Sequence, residues 1–331
     1  MKKKSSSRKL LRRLPPVGQI IRRNPLRALS LAVITLFLLL LPGQNYYETL
    51  HLELEPSPVR ASEFDNFSPS LYPERVGREV PPYLSAESVM AVDLASGVPL
   101  FELNPDERLR PASITKLMTA LVASDYYPPD SILSVKRLTP VPFESDMGLA
   151  VGDRVSVRNL LYGLLVPSGG DAAYTLADNY PGGIENFLYS MNKKAENLHM
   201  INTHFDNPSG FDSPGQYSSV RDISFLTAAA LRNSLIDKIV AAEGVTVSDA
   251  SGEKSYILKN VNEFLGYLYG ADGVKTGFTD QAGQCLVSSI TRNGHRIVAV
   301  VLHSQDRFGD SARLIEWVFR NFQWIDPERM Q

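Results

Sequence analysis

Arg110-Pro-Ala-Ser-Ile-Thr-Lys-Leu-Met-Thr-Ala120 is the stretch from which the fold can be read. Pro111 breaks the chain, and from Ser113 the apolar residues Ile114, Leu117, Met118, Leu121 and Val122 recur at helical spacing. A helix is therefore predicted to start at Ser113. Upstream, residues 87–94 and 98–103 are apolar runs joined by Ala95-Ser96-Gly97, which predicts two antiparallel strands and a tight turn. A helix start gives Ser113 exposed backbone N–H groups and a helix dipole, both favourable to an alkoxide and to the oxyanion it generates. Lys116, three residues on, lies on the same face within reach of the hydroxyl. A lysine acts as a base near neutral pH only where burial or a neighbouring cation disfavours its ammonium form, so the site is expected to be enclosed. Spacing alone selects nothing. Ser-x-x-Lys also occurs at Ser6/Lys9, Ser190/Lys193 and Ser251/Lys254, where a helix cap and a surface lysine suffice.

Two later segments give the pair its context. Residues 151–165 contain a predicted helix that Pro167 ends, and Ser168-Gly169-Gly170 forms a loop before a helix opening at Asp171. One reading is a turn with Asp171 as the cap; the other sets the Ser168 hydroxyl opposite Lys116 as a proton relay. The third segment, Lys275-Thr276-Gly277, occurs once, on a predicted strand beside the hairpin of residues 284–291 and 295–303. Such a strand can present Lys275 and Thr276 to a carboxylate. Gly277 would permit close approach, and the N–H of Phe278 would face a reacting carbonyl. The alternative is a strand with an exposed lysine.

From about Ala86 to Trp324 the chain resembles the serine-type D-alanyl-D-alanine carboxypeptidases, the low-molecular-mass penicillin-binding proteins. The matching stretches come in order: Val92-Asp93 to Asn104, Arg110 to Ala120, Ser168 to Ala173, Asn207-Pro-Ser-Gly-Phe211, and Asp272-Gly-Val-Lys-Thr-Gly-Phe-Thr279 to Gly283. The resemblance implies an acylated nucleophile at Ser113, its base at Lys116 and the relay at Ser168. It also implies a carboxylate site at Lys275 and Thr276, and an oxyanion hole from the N–H groups of Ser113 and Phe278. Arg307, in Asp306-Arg-Phe-Gly-Asp-Ser-Ala312, resembles a family arginine near that carboxylate; a surface arginine at a helix start is the other reading. One position departs from the pattern. The second motif of the family usually ends in Asn, and here that place is Gly170. An asparagine amide can hold the substrate's peptide carbonyl, so its loss removes up to about two hydrogen bonds worth roughly 0.5–1.5 kcal/mol each.

The predicted fold class is α+β. Strands near residues 87–103 and 273–303 flank a helix-rich middle, so both ends of the domain build one antiparallel sheet beside a helical lobe. This β-lactamase/transpeptidase-like arrangement brings Ser113, Ser168 and Lys275 to the cleft between them.

Residues 1–27 carry ten Lys or Arg and no acidic residue, and residues 28–41 are an uncharged, mostly apolar run of fourteen. That length suits a signal-peptide core or a short anchor, and the positive flank orients it N-terminus inside. No small-residue cleavage pattern follows Leu41. The expected organisation is a basic cytoplasmic segment (1–27), a signal anchor or signal-peptide core (28–41), a proline-interrupted extended linker (42–82) and a catalytic domain (83–331). The expected location is the cell membrane, single pass, with the catalytic domain outside; secretion after cleavage is the alternative.

From residue 28 onward 24 basic residues face 36 acidic ones, which disfavours nucleic acid as a partner. The five histidines show no metal-ligand spacing, so no metal and no cofactor are expected. The single Cys285 sits on an apolar strand, as a core residue does. Trp317, in a predicted helix over 308–322, and Trp324 are expected to pack against the sheet. By resemblance the chain removes the terminal D-alanine from peptidoglycan stem peptides through an acyl-enzyme, with β-lactams as covalent inhibitors. A D,D-endopeptidase would use the same residues. A β-lactamase is disfavoured because none of Glu185, Glu196, Glu243, Glu253 or Glu263 has Asn four residues later, as class A enzymes require. A silent peptidoglycan-binding homologue is the reading that Gly170 leaves open.

Overall fold

The computed structural model describes residues 72–138 and 145–325, with Leu29 and Val33. The chain divides into two units, Met1–Phe67 and Ser68–Gln331, and every element below belongs to the second. The basic segment, nearly all of the apolar run and the linker up to residue 71 lie outside the described residues. Among the described residues no helix is long and apolar enough to cross a membrane.

In chain order the elements are β1 (Tyr72–Arg75), β2 (Ser88–Asp93), β3 (Pro99–Leu103), a 3-10 turn (Ala112–Thr115) and α1 (Lys116–Tyr126). Then come β4 (Ile132–Ser134), β5 (Arg154–Ser156), α2 (Val157–Leu165), α3 (Gly170–Asn179), α4 (Gly183–Asn197), α5 (Val220–Arg232) and α6 (Ser234–Val240). The hairpin β6 (Gly244–Ser248) and β7 (Ser255–Lys259) leads to β8 (Ala271–Thr279), β9 (Gly283–Arg292), β10 (His295–Ser304), α7 (Arg307–Asn321) and β11 (Phe322–Ile325).

The main sheet has the order β3-β2-β10-β9-β8 and is antiparallel throughout. Both ends of the domain build it, as expected. Its central strand reads as a continuous apolar run because both faces are covered. Val298, Val300 and Leu302 of β10 face the helical lobe with Met90, Val92, Cys285 and Val287. Ile297, Ala299 and Val301 face α7 with Val89, Ala91, Leu286 and Ile290. This period of two is the strand geometry written into the sequence. Helix α7 covers that face through Leu314, Ile315, Trp317 and Val318, a spacing that makes one stripe, and starts at Asp306, whose carboxylate accepts from Gly309 N at 2.9 Å.

The expected linker is shorter than its prolines suggest. β1 pairs with β11, and Val76 and Gly77 donate to the Asn321 carbonyl at 2.9 and 3.0 Å. Residues 72–82 thus dock on the end of α7, where Trp317 Nε1 donates to Glu79 O. Trp324 stacks on His295 and donates its indole N–H to buried Asp93 at 2.8 Å. The strand order leaves β8 at an edge of the sheet. Alternate N–H groups of that strand are unpaired within the sheet and point away from β9.

Candidate active site

The nucleophile segment is bent before its helix begins. Pro111 precedes a 3-10 turn in place of the α-helix expected from Ser113, and α1 opens at Lys116. Ala112 has φ 49°, a left-handed conformation that costs a non-glycine residue about 1–3 kcal/mol. Two close glycines hold it there. A Cβ on Gly210, itself at φ +89°, would lie 1.9 Å from Ala112 O. One on Gly277 would lie 3.0 Å from Ala112 Cβ and 3.2 Å from Ser113 N. The backbone around Ser113 is therefore wedged between the Asn207–Phe211 loop and β8.

Lys116 is fully buried, so the enclosure that a basic lysine requires is present. Its Nζ lies 3.0 Å from Ser113 Oγ and donates to Ser209 O at 2.8 Å. The carbonyl is aimed by its own loop. Asn207 Oδ1 accepts from the N–H groups of Ser209, Gly210 and Phe211, and Thr119 Oγ1 donates to Pro208 O at 2.6 Å. The Asn-Pro-Ser-Gly-Phe stretch is thus the seat of the lysine.

Ser168 also stands on a left-handed backbone, with φ 70°, and lines the same cleft as Ser113. Gly170, the position that departs from the family pattern, is the first residue of α3 and has no left-handed φ. The helix cap is Gly169, not Asp171. The buried Asp171 carboxylate has a wider reach. It accepts from Met147 N (2.9 Å), Gly148 N (3.0 Å), Leu149 N (2.9 Å) and Ala172 N (2.8 Å). Gly170 N donates to Ser145 O at 2.7 Å. A polar clamp therefore joins the Ser168 loop to residues 145–149.

The edge strand β8 supplies Thr276, Gly277, Phe278 and Thr279 to the cleft, whose volume is about 790 Å³. Lys275 sits differently from the exposed lysine of the alternative reading. It is buried and donates to Thr276 O at 3.0 Å. Arg307 does line the cleft. As the first residue of α7 it reaches back so that Nη1 donates to Gly277 O at 2.9 Å. Burial pushes its guanidinium below the usual arginine range, which is the cost of keeping a cation in this wall. Its Nε is buried with no hydrogen-bond partner among the described residues.

Sequence reasoning missed several lining residues. Val261 and Ser145 carry no motif. Asp212, which follows the Asn-Pro-Ser-Gly-Phe stretch, accepts from Thr279 Oγ1 at 2.7 Å and so ties the helical lobe to β8. Cys285 lies in the core, as read, and burial raises its thiol to about 11, which leaves it inert at neutral pH.

The family model described as D-alanyl-D-alanine carboxypeptidase matches residues 76–306. The chain is 34% identical over 259 residues to the D-alanyl-D-alanine carboxypeptidase DacA of Haemophilus influenzae, a match covering 73% of this chain and 64% of that relative. Among solved structures, the D,D-transpeptidase of a Streptomyces strain superposes with a TM-score of 0.67 at 32% identity, over 73% of this chain and all of that one. A penicillin-binding protein from Listeria monocytogenes in its ampicillin-bound form gives a TM-score of 0.64 at 31% identity, over 72% of this chain and all of that one. With the α+β transpeptidase-like fold in place and three ordered motifs around one cleft, the chain belongs to the D-alanyl-D-alanine carboxypeptidase family.

Proposed function

We propose that the protein is a serine D,D-carboxypeptidase that removes the terminal D-alanine of peptidoglycan stem peptides through an ester on Ser113. The observation that carries this reading is the 3.0 Å separation of Lys116 Nζ from Ser113 Oγ under full burial of the lysine. A candidate base must lie within hydrogen-bond reach of the proton it takes, and this one does.

In the first half-reaction Ser113 Oγ attacks the penultimate carbonyl while its proton passes to Lys116. The new C–O bond forms, and the oxyanion lies between the N–H groups of Ser113 and Phe278. The C–N bond then breaks, and the Ser168 hydroxyl relays the proton to the leaving amine of D-alanine. Arg307 and Thr276 meet the terminal carboxylate, with the charge of Lys275 behind them. In the second half-reaction water adds to the ester, the Ser113 C–O bond breaks and the proton returns to Ser113. β-Lactams, which present a strained amide to the same serine, stop at the ester. Release of D-alanine from an N-acylated L-Lys-D-Ala-D-Ala tripeptide, assayed with wild type and Lys116→Ala, tests the reading. Loss of release in the variant supports it, and release at an undiminished rate would remove Lys116 from the mechanism.

The proposed setting is the outer face of the cytoplasmic membrane, with the apolar run of residues 28–41 as a retained anchor. The ten basic residues before it support that orientation. Protease added to spheroplasts should remove the catalytic domain. A protease-resistant domain would contradict export, and a soluble form beginning near Gly43 would show cleavage.

A further inference from the structure

We propose that Ser145 is a substrate-binding residue, its hydroxyl taking over the contact to the substrate's peptide carbonyl that an asparagine at position 170 would make. This rests on the carboxypeptidase reading above and assigns a residue to the wall that the second motif leaves bare.

Gly170 has no side chain to offer the cleft, and the neighbour that comes up against it is Ser145, whose carbonyl accepts from Gly170 N at 2.7 Å. Ser145 lines the cleft together with Ser113, Ser168 and Thr276. With the Ser145 carbonyl turned toward α3, its backbone N–H and its hydroxyl are the other polar groups of that residue, and only the hydroxyl is on a side chain free to turn. Among the described residues the hydroxyl takes part in no hydrogen bond, and on a residue that lines the cleft it can meet a ligand as donor or acceptor. Chemically it suits the task. A hydroxyl donates one hydrogen bond to a carbonyl as an amide N–H does, on a shorter arm.

The segment bearing Ser145 is fixed in place. Asp171, one residue after Gly170, gathers the N–H groups of Met147, Gly148 and Leu149, and Asp171 N in turn donates to Asp146 Oδ1 at 3.2 Å. Asp171 is thus a positioning residue, acting on the substrate only through the stretch it holds. A buried carboxylate holding three backbone N–H groups ties residues 147–149 to the start of α3, which follows Ser168. A contact held at fixed distance can serve the transition state better than the ground state.

The test uses the full chain in three forms, wild type, Ser145→Ala and Ser145→Ala/Gly170→Asn. Each is measured for kcat/KM of D-alanine release from the N-acylated L-Lys-D-Ala-D-Ala tripeptide and for the rate of acylation by benzylpenicillin. Ser145→Ala is expected to lower kcat/KM about three- to tenfold, the size of one neutral hydrogen bond. The added asparagine is expected to restore most of that loss, because the amide would return to the place where the hydroxyl had served. A Ser145→Ala value within twofold of wild type would overturn the inference, as would a double variant no faster than the single one. Failure of the wild type itself to be acylated by benzylpenicillin would instead strike the carboxypeptidase reading, so the two failures are told apart.

Discussion

Ser113 and Ser168 face one cleft from backbones bent in the same left-handed sense, Ala112 at φ 49° beside the first and Ser168 itself at φ 70°, yet they are held by different means. At Ser113 the bend is enforced by contact: Gly210 leaves no space for a methyl group, and Gly277 leaves it only if its neighbours shift by tenths of an ångström. At Ser168 a close glycine is joined by charge and hydrogen bonds: a Cβ on Gly169 would lie 2.7 Å from Gly163 O, and Asp171 draws residues 147–149 toward the loop. A steric wedge fails when an atom is added. A polar clamp fails when an acceptor is removed. An atom added at Gly210 should therefore be felt first at Ser113, and loss of the Asp171 acceptor first at the Ser168 loop.

The sharpest way to break the comparison is Gly210→Ala. Its Cβ would stand 1.9 Å from the Ala112 carbonyl on a backbone at φ +89°, so the loop and the nucleophile segment must separate. Acylation should fall at least about 100-fold and stability by about 3 kcal/mol or more, read from penicillin kinetics and urea midpoints. Gly277→Ala meets atoms at 3.0–3.2 Å that can yield by tenths of an ångström, and should cost about tenfold in acylation with a smaller shift in midpoint. Equal effects at the two glycines would show that space is not what positions Ser113.

Removing an acceptor comes next in size. Asp171→Asn keeps the volume but turns one oxygen into a donor facing backbone N–H groups, at a cost of about 1–3 kcal/mol for each group left unsatisfied. Amide hydrogen exchange at Met147, Gly148 and Leu149 should quicken, and D-alanine release should slow about tenfold while the Ser113 segment keeps its protection. Unchanged exchange at those three amides would dissolve the clamp.

A second buried carboxylate, Asp310, does not line the cleft and supplies the control. Burial raises the Asp310 pKa, but hydrogen bonds from Ser304, Ser85 and Arg313 outweigh it and hold the carboxyl below the usual range. A depressed folded pKa gives stability that is present above the unfolded value, near 4, and is lost as pH falls through the folded one. Asp310→Asn should therefore be less stable than wild type at pH 7, and that difference should shrink below about pH 4 in urea titrations. D-alanine release per folded molecule should stay at the wild-type value, because the hydrogen-bond partners of Asp310 are Ser85, Ser304, Asp306 and Arg313, none of which lines the cleft. A difference independent of pH would assign the effect to packing.

The same contrast explains what the sequence disclosed. Ser113 and Lys116 are three residues apart on one helical turn, so their meeting is local and could be read directly. The sheet was legible for a similar reason: β9 and β10 alternate between two buried faces and are joined by a two-residue turn at Asn293-Gly294. What stayed hidden depends on contacts far apart in the chain. Nothing in Tyr72–Arg75 announces a partner in Phe322–Ile325, and its proline argued for a linker. Asp171 looked like a helix cap because its partners lie more than twenty residues upstream. The Arg307 side chain could have faced solvent or cleft, and only the packing of α7 against β9 and β10 chose. Lys275 could have been an exposed strand lysine, and only the fold shows it buried, donating to Thr276 O.

The central claim is that one serine, seated against one buried lysine, carries the acyl group. Incubation of the full chain with benzylpenicillin, followed by proteolysis and mass spectrometry, addresses it directly. The account predicts a single penicilloyl ester on the peptide containing Ser113, absent from Ser113→Ala and formed far more slowly in Lys116→Ala. An adduct that persists in Ser113→Ala, or one located at Ser168, would contradict it.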